Sequence, residues 1–186
     1  MTIQIYDNFL PLEEFERIEQ MVRNEDFYQP KEFTVYGDPE TNSNLHDFYF
    51  QGLIYEKADS ERTTFIKTHI HFVLTPLWEK LQAVDVFMAR VNCQSSAREN
   101  YQTAWHTDMS HREYVQVDKD KLKNFYTACF YLNTNNGGTT FRSGEFCPSV
   151  KNRICIFPHN TDHAGVWCTD TKLRYVLNLN YEKKSN

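Results

Sequence analysis

From Ile3 to Leu10 the chain alternates apolar with polar residues, which predicts an opening strand. Pro11 then starts a helix in which Leu12, Phe15, Ile18 and Val22 recur on one face. Residues 27–57 are rich in aromatics but irregular, with turn signals at Gly37-Asp38-Pro39 and Asn42-Ser43-Asn44. From Ser60 onward, Phe65, Ile66, Ile70, Val73, Leu74, Leu77 and Leu81 return to helical spacing. Pro76 falls inside that run and predicts a kink or a restart, with Thr75 as the new cap. Beyond about residue 84 the texture changes. VDVFMARVN, NFYTACFYLN, TTFRS, EFCPSV, RICIFP, HAGVW and LRYVLNLNY read as short strands separated by turns such as Asn135-Asn136-Gly137-Gly138.

Two helices packed on one face of seven or eight short strands predict a mainly β fold, a jelly roll or related barrel. No repeat and no Pro/Gly-rich linker divides the chain, so residues 1–186 read as one domain. Its helical support covers about 1–83 and its β-roll about 84–182. Apolar runs fall far short of the roughly 18 residues of a membrane span, and no export signal follows Met1. A soluble, cytoplasmic protein without a membrane partner is expected, as a monomer or dimer.

Composition narrows the function classes. A hydrophobic fraction of 40% and a charged fraction of 24% exclude general disorder. Eleven Tyr and fourteen Phe favour strands or an aromatic-walled pocket. The net charge of −5 argues against affinity earned by neutralising phosphates, so nucleic acid is not the expected partner. Cys93, Cys129, Cys147, Cys155 and Cys168 are odd in number and lack CxxC spacing, which points to buried free thiols.

The candidate chemistry lies in the second half. His106 and Asp108 are two residues apart, so on a strand they face the same side. His163 follows Phe157-Pro158 at a strand entrance. Two imidazoles and one carboxylate form the set that holds non-haem Fe(II) with open positions. Zinc also takes these ligands, which keeps a cupin-like hydrolase open. His159 competes with His163 but sits in a predicted turn and lies four residues further from Arg174. Arg174 stands inside the apolar strand LRYVLNLNY, where an arginine needs a partner. Its fork suits a carboxylate, either a dicarboxylate ligand or an acidic side chain of this chain. His46, His69, His71 and His111 need no functional role. Tyr101 and Trp105 precede the ligands, Tyr101 as a lid or co-substrate contact and Trp105 as packing.

In order, the chain carries His106-x-Asp108, Tyr131-Leu132-Asn133, Asn136-Gly137-Gly138-Thr139-Thr140-Phe141, Arg153-Ile154-Cys155-Ile156-Phe157-Pro158, His163 and Arg174-Tyr175. This series resembles the 2-oxoglutarate/Fe(II)-dependent oxygenases, in particular the prolyl 4-hydroxylase-like branch. YLNTNN and NLNY resemble versions encoded by bacteriophages, which would place the protein in the host cytoplasm. The resemblance implies a double-stranded β-helix with the metal at its open end. It implies Fe(II) on His106, Asp108 and His163, and 2-oxoglutarate held by Arg174 with Tyr131, Thr139 and Asn178. Asn92 occupies a position where relatives often carry a co-substrate-contacting tyrosine. Val176 departs from the Arg-x-Ser of relatives, which passes the second hydrogen bond to Tyr131 or Thr139.

The implied activity is hydroxylation of an unactivated C–H with O2 as oxidant, 2-oxoglutarate as co-substrate and ascorbate as an accessory. No side chain beyond the metal centre is a catalytic residue. The implied substrate is a prolyl residue in a peptide; the aromatic stretch Phe27–Tyr55 would either supply a groove for it or pack against the sheet, and Met109–Asn124 would form the lid. A free amino acid or other small metabolite is the alternative, and a metal-site sensing module is the non-enzymatic one.

Overall fold

A computed structural model describes residues 2–24, 29–33, 47–56, 68–108 and 122–184 of the protein. The turn signals at 37–39 and 42–44, His46, His111, Ser60 to Ile66 and most of the 109–124 loop lie outside these residues. The elements are β1 (Gln4–Tyr6), α1 (Leu12–Asn24), β2 (Gln29–Phe33), β3 (Asp47–Glu56), α2 (Thr68–Leu81) and β4 (Ala83–Ser95). There follow β5 (Phe125–Tyr131), β6 (Gly138–Phe141), β7 (Phe146–Pro148), β8 (Arg153–Pro158), β9 (His163–Val166) and β10 (Leu173–Lys183). Seven strands form one antiparallel sheet in the order β1-β8-β5-β10-β4-β3-β2, and β7-β6-β9 form a smaller one. No described helix is long and apolar enough to cross a membrane.

The two faces of the large sheet follow from the period of β10. Leu177 and Leu179 point to one side and are fully buried with Phe15, Ile18, Leu74 and Leu77 of the two helices. Arg174, Val176, Asn178 and Asn180 point to the other side and are also buried. On β5, Tyr131 and Cys129 stand opposite Val176 and Asn178. On β4, Gln94, Asn92 and Arg90 stand opposite Arg174, Val176 and Asn178. The strand therefore buries its leucines under helices and its polar residues between the sheets. Polar groups are costly in a core unless something there needs them.

Several elements differ from the sequence pattern. Leu12 is 64% exposed, and Met21 takes its place beside Phe15, Ile18 and Val22. The irregular segment 27–57 contains a strand pair, with Gln29 opposite Gln51 and Phe33 opposite Asp47. Consecutive aromatics at Phe48-Tyr49-Phe50 erase the period-2 signal there. The helix is not restarted at Thr75; α2 runs through Pro76. Leu74 and Leu77, fully buried on either side of the proline, hold it in one piece. All five cysteines are free and buried.

The Phe15 ring meets Phe130 edge-on at 5.7 Å, joining α1 to the middle of the sheet. Truncation of Phe15 to alanine is expected to cost about 3–5 kcal/mol, because packed neighbours collapse only partly into the void. Urea unfolding of the two proteins measures that difference.

Candidate metal centre

The segment before Asp108 runs antiparallel to β9. His106 N–H donates to the His163 carbonyl at 3.0 Å, and His163 N–H donates back to His106 at 3.0 Å. Residues paired in this way send their side chains to the same face. The two rings lie 4.5 Å apart, and Asp108, two residues past His106, joins them. Each Nδ1 is 3.0 Å from a carbonyl two residues upstream, Ala104 for His106 and Thr161 for His163. A carbonyl takes a proton only from a donor, so both rings carry hydrogen on Nδ1, and in the neutral form Nε2 is the bare nitrogen. Those Nε2 atoms stand 3.8 and 3.9 Å from Asp108 Oδ1. The ligand atoms of the three residues all lie within 4.8 Å of one another.

Charge at the site is set from the large sheet. Burial resists ionisation of Asp108, but His163 in its protonated form, Arg90 and protonated His106 outweigh it and hold the carboxyl below its usual range. Arg90 Nη2 lies 3.5 Å from Asp108 Oδ1. Asn180, with its side-chain nitrogen turned inward, donates to Asp108 Oδ2 and to Thr127 Oγ1, each at 3.2 Å. Burial lowers the pKa of His163, keeping the ring neutral and its lone pair available. A buried carboxylate, two bare imidazole nitrogens and fixed tautomers form a donor set suited to a divalent transition metal.

Arg174 marks the other end of the same wall. Its Nε donates to Ser149 Oγ at 3.1 Å, its Nη1 to Gln94 Oε1 at 2.5 Å and its Nη2 to the Gly138 carbonyl at 3.0 Å. All three acceptors are neutral. No carboxylate lies within ion-pair distance among the described residues, so the internal salt-bridge reading of Arg174 is set aside there. Gly138 is needed for the close approach: a Cβ on it would meet the Cys147 carbonyl at 2.4 Å. The Tyr131 ring lies 5.8 Å from the guanidinium carbon, and its hydroxyl donates to Thr139 Oγ1 at 2.7 Å. Burial pushes the Tyr131 pKa well up, so the phenol stays neutral and a donor. Cys129, pushed up to about 12 chiefly by burial, feels both the Asp108 and the Arg174 charge and so links the two ends.

The fold thus gathers His106, Asp108 and His163 at one point and Arg174, Tyr131 and Thr139 at another. Asn178 and Asn92 occupy inner positions on the two rungs between Arg174 and Asn180. Asn178 Oδ1 is buried without a hydrogen-bond partner. His159 packs its ring against Phe125 and does not belong to the His106, Asp108 and His163 group. Tyr101 stacks on Trp167 at 5.0 Å, and Trp105 lies under Arg142. Arg90, Gln94, Thr127, Ser149 and Asn180 were not singled out by sequence. Strand parity on LRYVLNLNY reaches Asn180, two residues past Asn178; the other four depend on cross-strand register or tertiary approach.

No family model matches the sequence, and no curated protein sequence matches it. Among solved structures, the chain is similar to a 2OG-Fe(II) oxygenase family oxidoreductase from Burkholderia pseudomallei. The TM-score is 0.65 at 9% identity, over 99% of this chain and 86% of that one. A prolyl hydroxylase from Trichoplax adhaerens, in complex with a hypoxia inducible factor peptide fragment, gives 0.55 at 13% identity, over 97% and 83%. A non-haem α-ketoglutarate-dependent carbocyclase from nogalamycin biosynthesis gives 0.60 at 12% identity, over 97% and 79%. The fold is therefore that of 2OG-Fe(II) oxygenase structures, prolyl hydroxylases among them.

Proposed function

We propose that the protein is a 2-oxoglutarate- and Fe(II)-dependent dioxygenase that hydroxylates a prolyl residue. One observation carries the reading. Two imidazoles and one buried carboxylate stand against a wall of the large sheet that also buries a guanidinium, which faces no carboxylate among the described residues. His106, Asp108 and His163 would hold the iron. Arg174 would take the distal carboxylate of 2-oxoglutarate, with Tyr131, Thr139, Asn178 and Asn92 along its length. When bound, iron and 2-oxoglutarate let O2 be reduced, giving succinate, CO2 and a C–OH from a C–H.

The chain's own residues orient and exclude. The Ala104 and Thr161 carbonyls fix both histidine tautomers. Arg90 and Asn180 keep Asp108 ionised and aimed. The leucines and phenylalanines under the sheet keep the wall rigid, which such a site requires. No acid or base need be supplied by a side chain. A single domain, with the β-roll as the reacting part, suits the placement of all these groups beyond residue 84.

The peptide reading is supported by the prolyl hydroxylase neighbours. A small-molecule reading is favoured by the higher score of the carbocyclase, 0.60 against 0.55. The test is succinate formation after anaerobic protein, Fe(II) and 2-oxoglutarate are exposed to O2 with proline peptides and free amino acids. Proline compounds are expected to raise succinate above the uncoupled rate, with a gain of one oxygen on proline. No succinate under any condition overturns the oxygenase reading. Stimulation by none of the proline compounds overturns the prolyl one alone.

A further inference from the structure

The wall carries a second arginine that the reading above leaves without a ligand. Arg90 stands opposite Asn178, two rungs from the pair of Arg174 and Gln94, and beside the triad rather than at the co-substrate end. Among the described residues its one ion pair is the long 3.5 Å approach to Asp108. Its buried Nε meets no acceptor, and about a fifth of the side chain, 21%, is accessible. Asn178 Oδ1, on the same rung, is an acceptor without a donor.

Charge gives this pair a meaning. With a divalent ion on the triad, the charges of the ion, Arg174, Asp108 and a bound dicarboxylate cancel. Among the described residues the positive charge of Arg90 is then left over, beside a metal and largely out of water, where an uncompensated charge is costly. A planar fork with one side unused matches a carboxylate geometrically as well as by charge. An acceptor one strand away matches an N–H or ammonium group next to that carboxylate, which free proline supplies and a prolyl residue at the end of a peptide does not. Both features belong to an α-amino acid with a free carboxyl group.

Resting on the oxygenase reading, we infer that Arg90 anchors a free carboxylate of the prime substrate. The hydroxylated residue is then a free amino acid or the C-terminal residue of a peptide, and an internal residue is a poor substrate.

Calorimetric titration of the anaerobic Fe(II) and 2-oxoglutarate complex tests this without turnover. The probes are the L-amino acids, proline included, each against its amide, and prolyl peptides ending in a carboxylate against the same peptides amidated. Acids are expected to bind roughly 10- to 100-fold more tightly than amides, the effect of a charged hydrogen-bonded pair. Free amino acids and peptide acids, compared with each other, tell which source the site takes. Arg90→Gln should remove the preference, and Arg90→Lys should keep part of it. Because Arg90 also supports Asp108, the visible band of the iron and 2-oxoglutarate complex is read in each variant, and substrate binding is compared at Fe(II) concentrations that restore it. Equal binding of acids and amides, no binding by any acid, or a preference that survives Arg90→Gln overturns the inference. Loss of iron binding in both variants also overturns it and makes Arg90 a positioning residue for Asp108. A wild-type protein that never gives the band sinks the oxygenase reading first, and this inference with it.

Discussion

Asp108→Ala is expected to abolish Fe(II) binding, while His159→Ala leaves it unchanged. Asp108 is the one carboxylate that both bare Nε2 atoms face, at 3.8 and 3.9 Å, and its side chain is 1% exposed. No nearby carboxylate replaces it among the described residues, since His106, Asp108 and His163 form the only such group found there. The loss should exceed the roughly 10- to 100-fold penalty typical of removing an outer-shell partner of a metal ligand. Asn180→Ala supplies that smaller reference, because it removes a 3.2 Å donor to Asp108 Oδ2 and leaves the ligands in place. Anaerobic titration with Fe(II), followed by the weak visible band with 2-oxoglutarate, measures all three variants. A His159→Ala protein that loses the metal would overturn the assignment of His163.

The legible part of the fold was the part with a clean period. β10 reads as a strand because Leu177 and Leu179 alternate with Asn178 and Asn180, and its two faces are buried for different reasons. The β2–β3 pair was not legible, since three consecutive aromatics, Phe48, Tyr49 and Phe50, leave no alternation to count in the sequence. Pro76 left a kink and a restart open, and the restart did not occur. A proline removes one N–H from a helix, but the flanking leucines of α2 are packed tightly enough to carry the helix across it. Tertiary burial decided the outcome, and periodicity cannot weigh it.

At the site, the metal-ligand candidates were legible from HxD and a distal histidine, although His106 lies on an isolated bridge and Asp108 in a turn rather than on the expected strand. His163 was preferred to His159 for its strand entrance and its spacing to Arg174, and its pairing with His106 makes their two side chains neighbours. Arg90 and Gln94 were not legible. In MARVNCQ they read as ordinary polar positions of a half-buried strand, and only the register against β10 sets them opposite Asn178 and Arg174. Ser149 and the Gly138 carbonyl are further from reach, because they approach Arg174 from outside its own sheet. Sequence parity assigns a side to each residue; it does not assign a partner.

Arg174→Lys is expected to lower the apparent affinity for 2-oxoglutarate about 10- to 100-fold while Fe(II) binding survives. The guanidinium spends Nε on Ser149, Nη1 on Gln94 and Nη2 on Gly138. A lysine ammonium can satisfy some of these acceptors, but it has no planar fork left to present to a carboxylate. Arg174→Ala should do more, since three buried acceptors lose their donor at once. At about 1–3 kcal/mol for a buried group left unsatisfied, a destabilisation of order 3 kcal/mol is expected. Burial already draws the Arg174 pKa below the usual arginine value, so the site tolerates the charge at a cost. That cost is what a bound carboxylate would offset, and excess 2-oxoglutarate should therefore raise the thermal midpoint of the wild type more than that of Arg174→Lys. Titration of the iron complex with 2-oxoglutarate, paired with thermal unfolding of the same samples, reads both effects. Unchanged affinity in a folded Arg174→Lys protein would make Arg174 a structural brace between β10, β4 and β6, with the co-substrate held elsewhere.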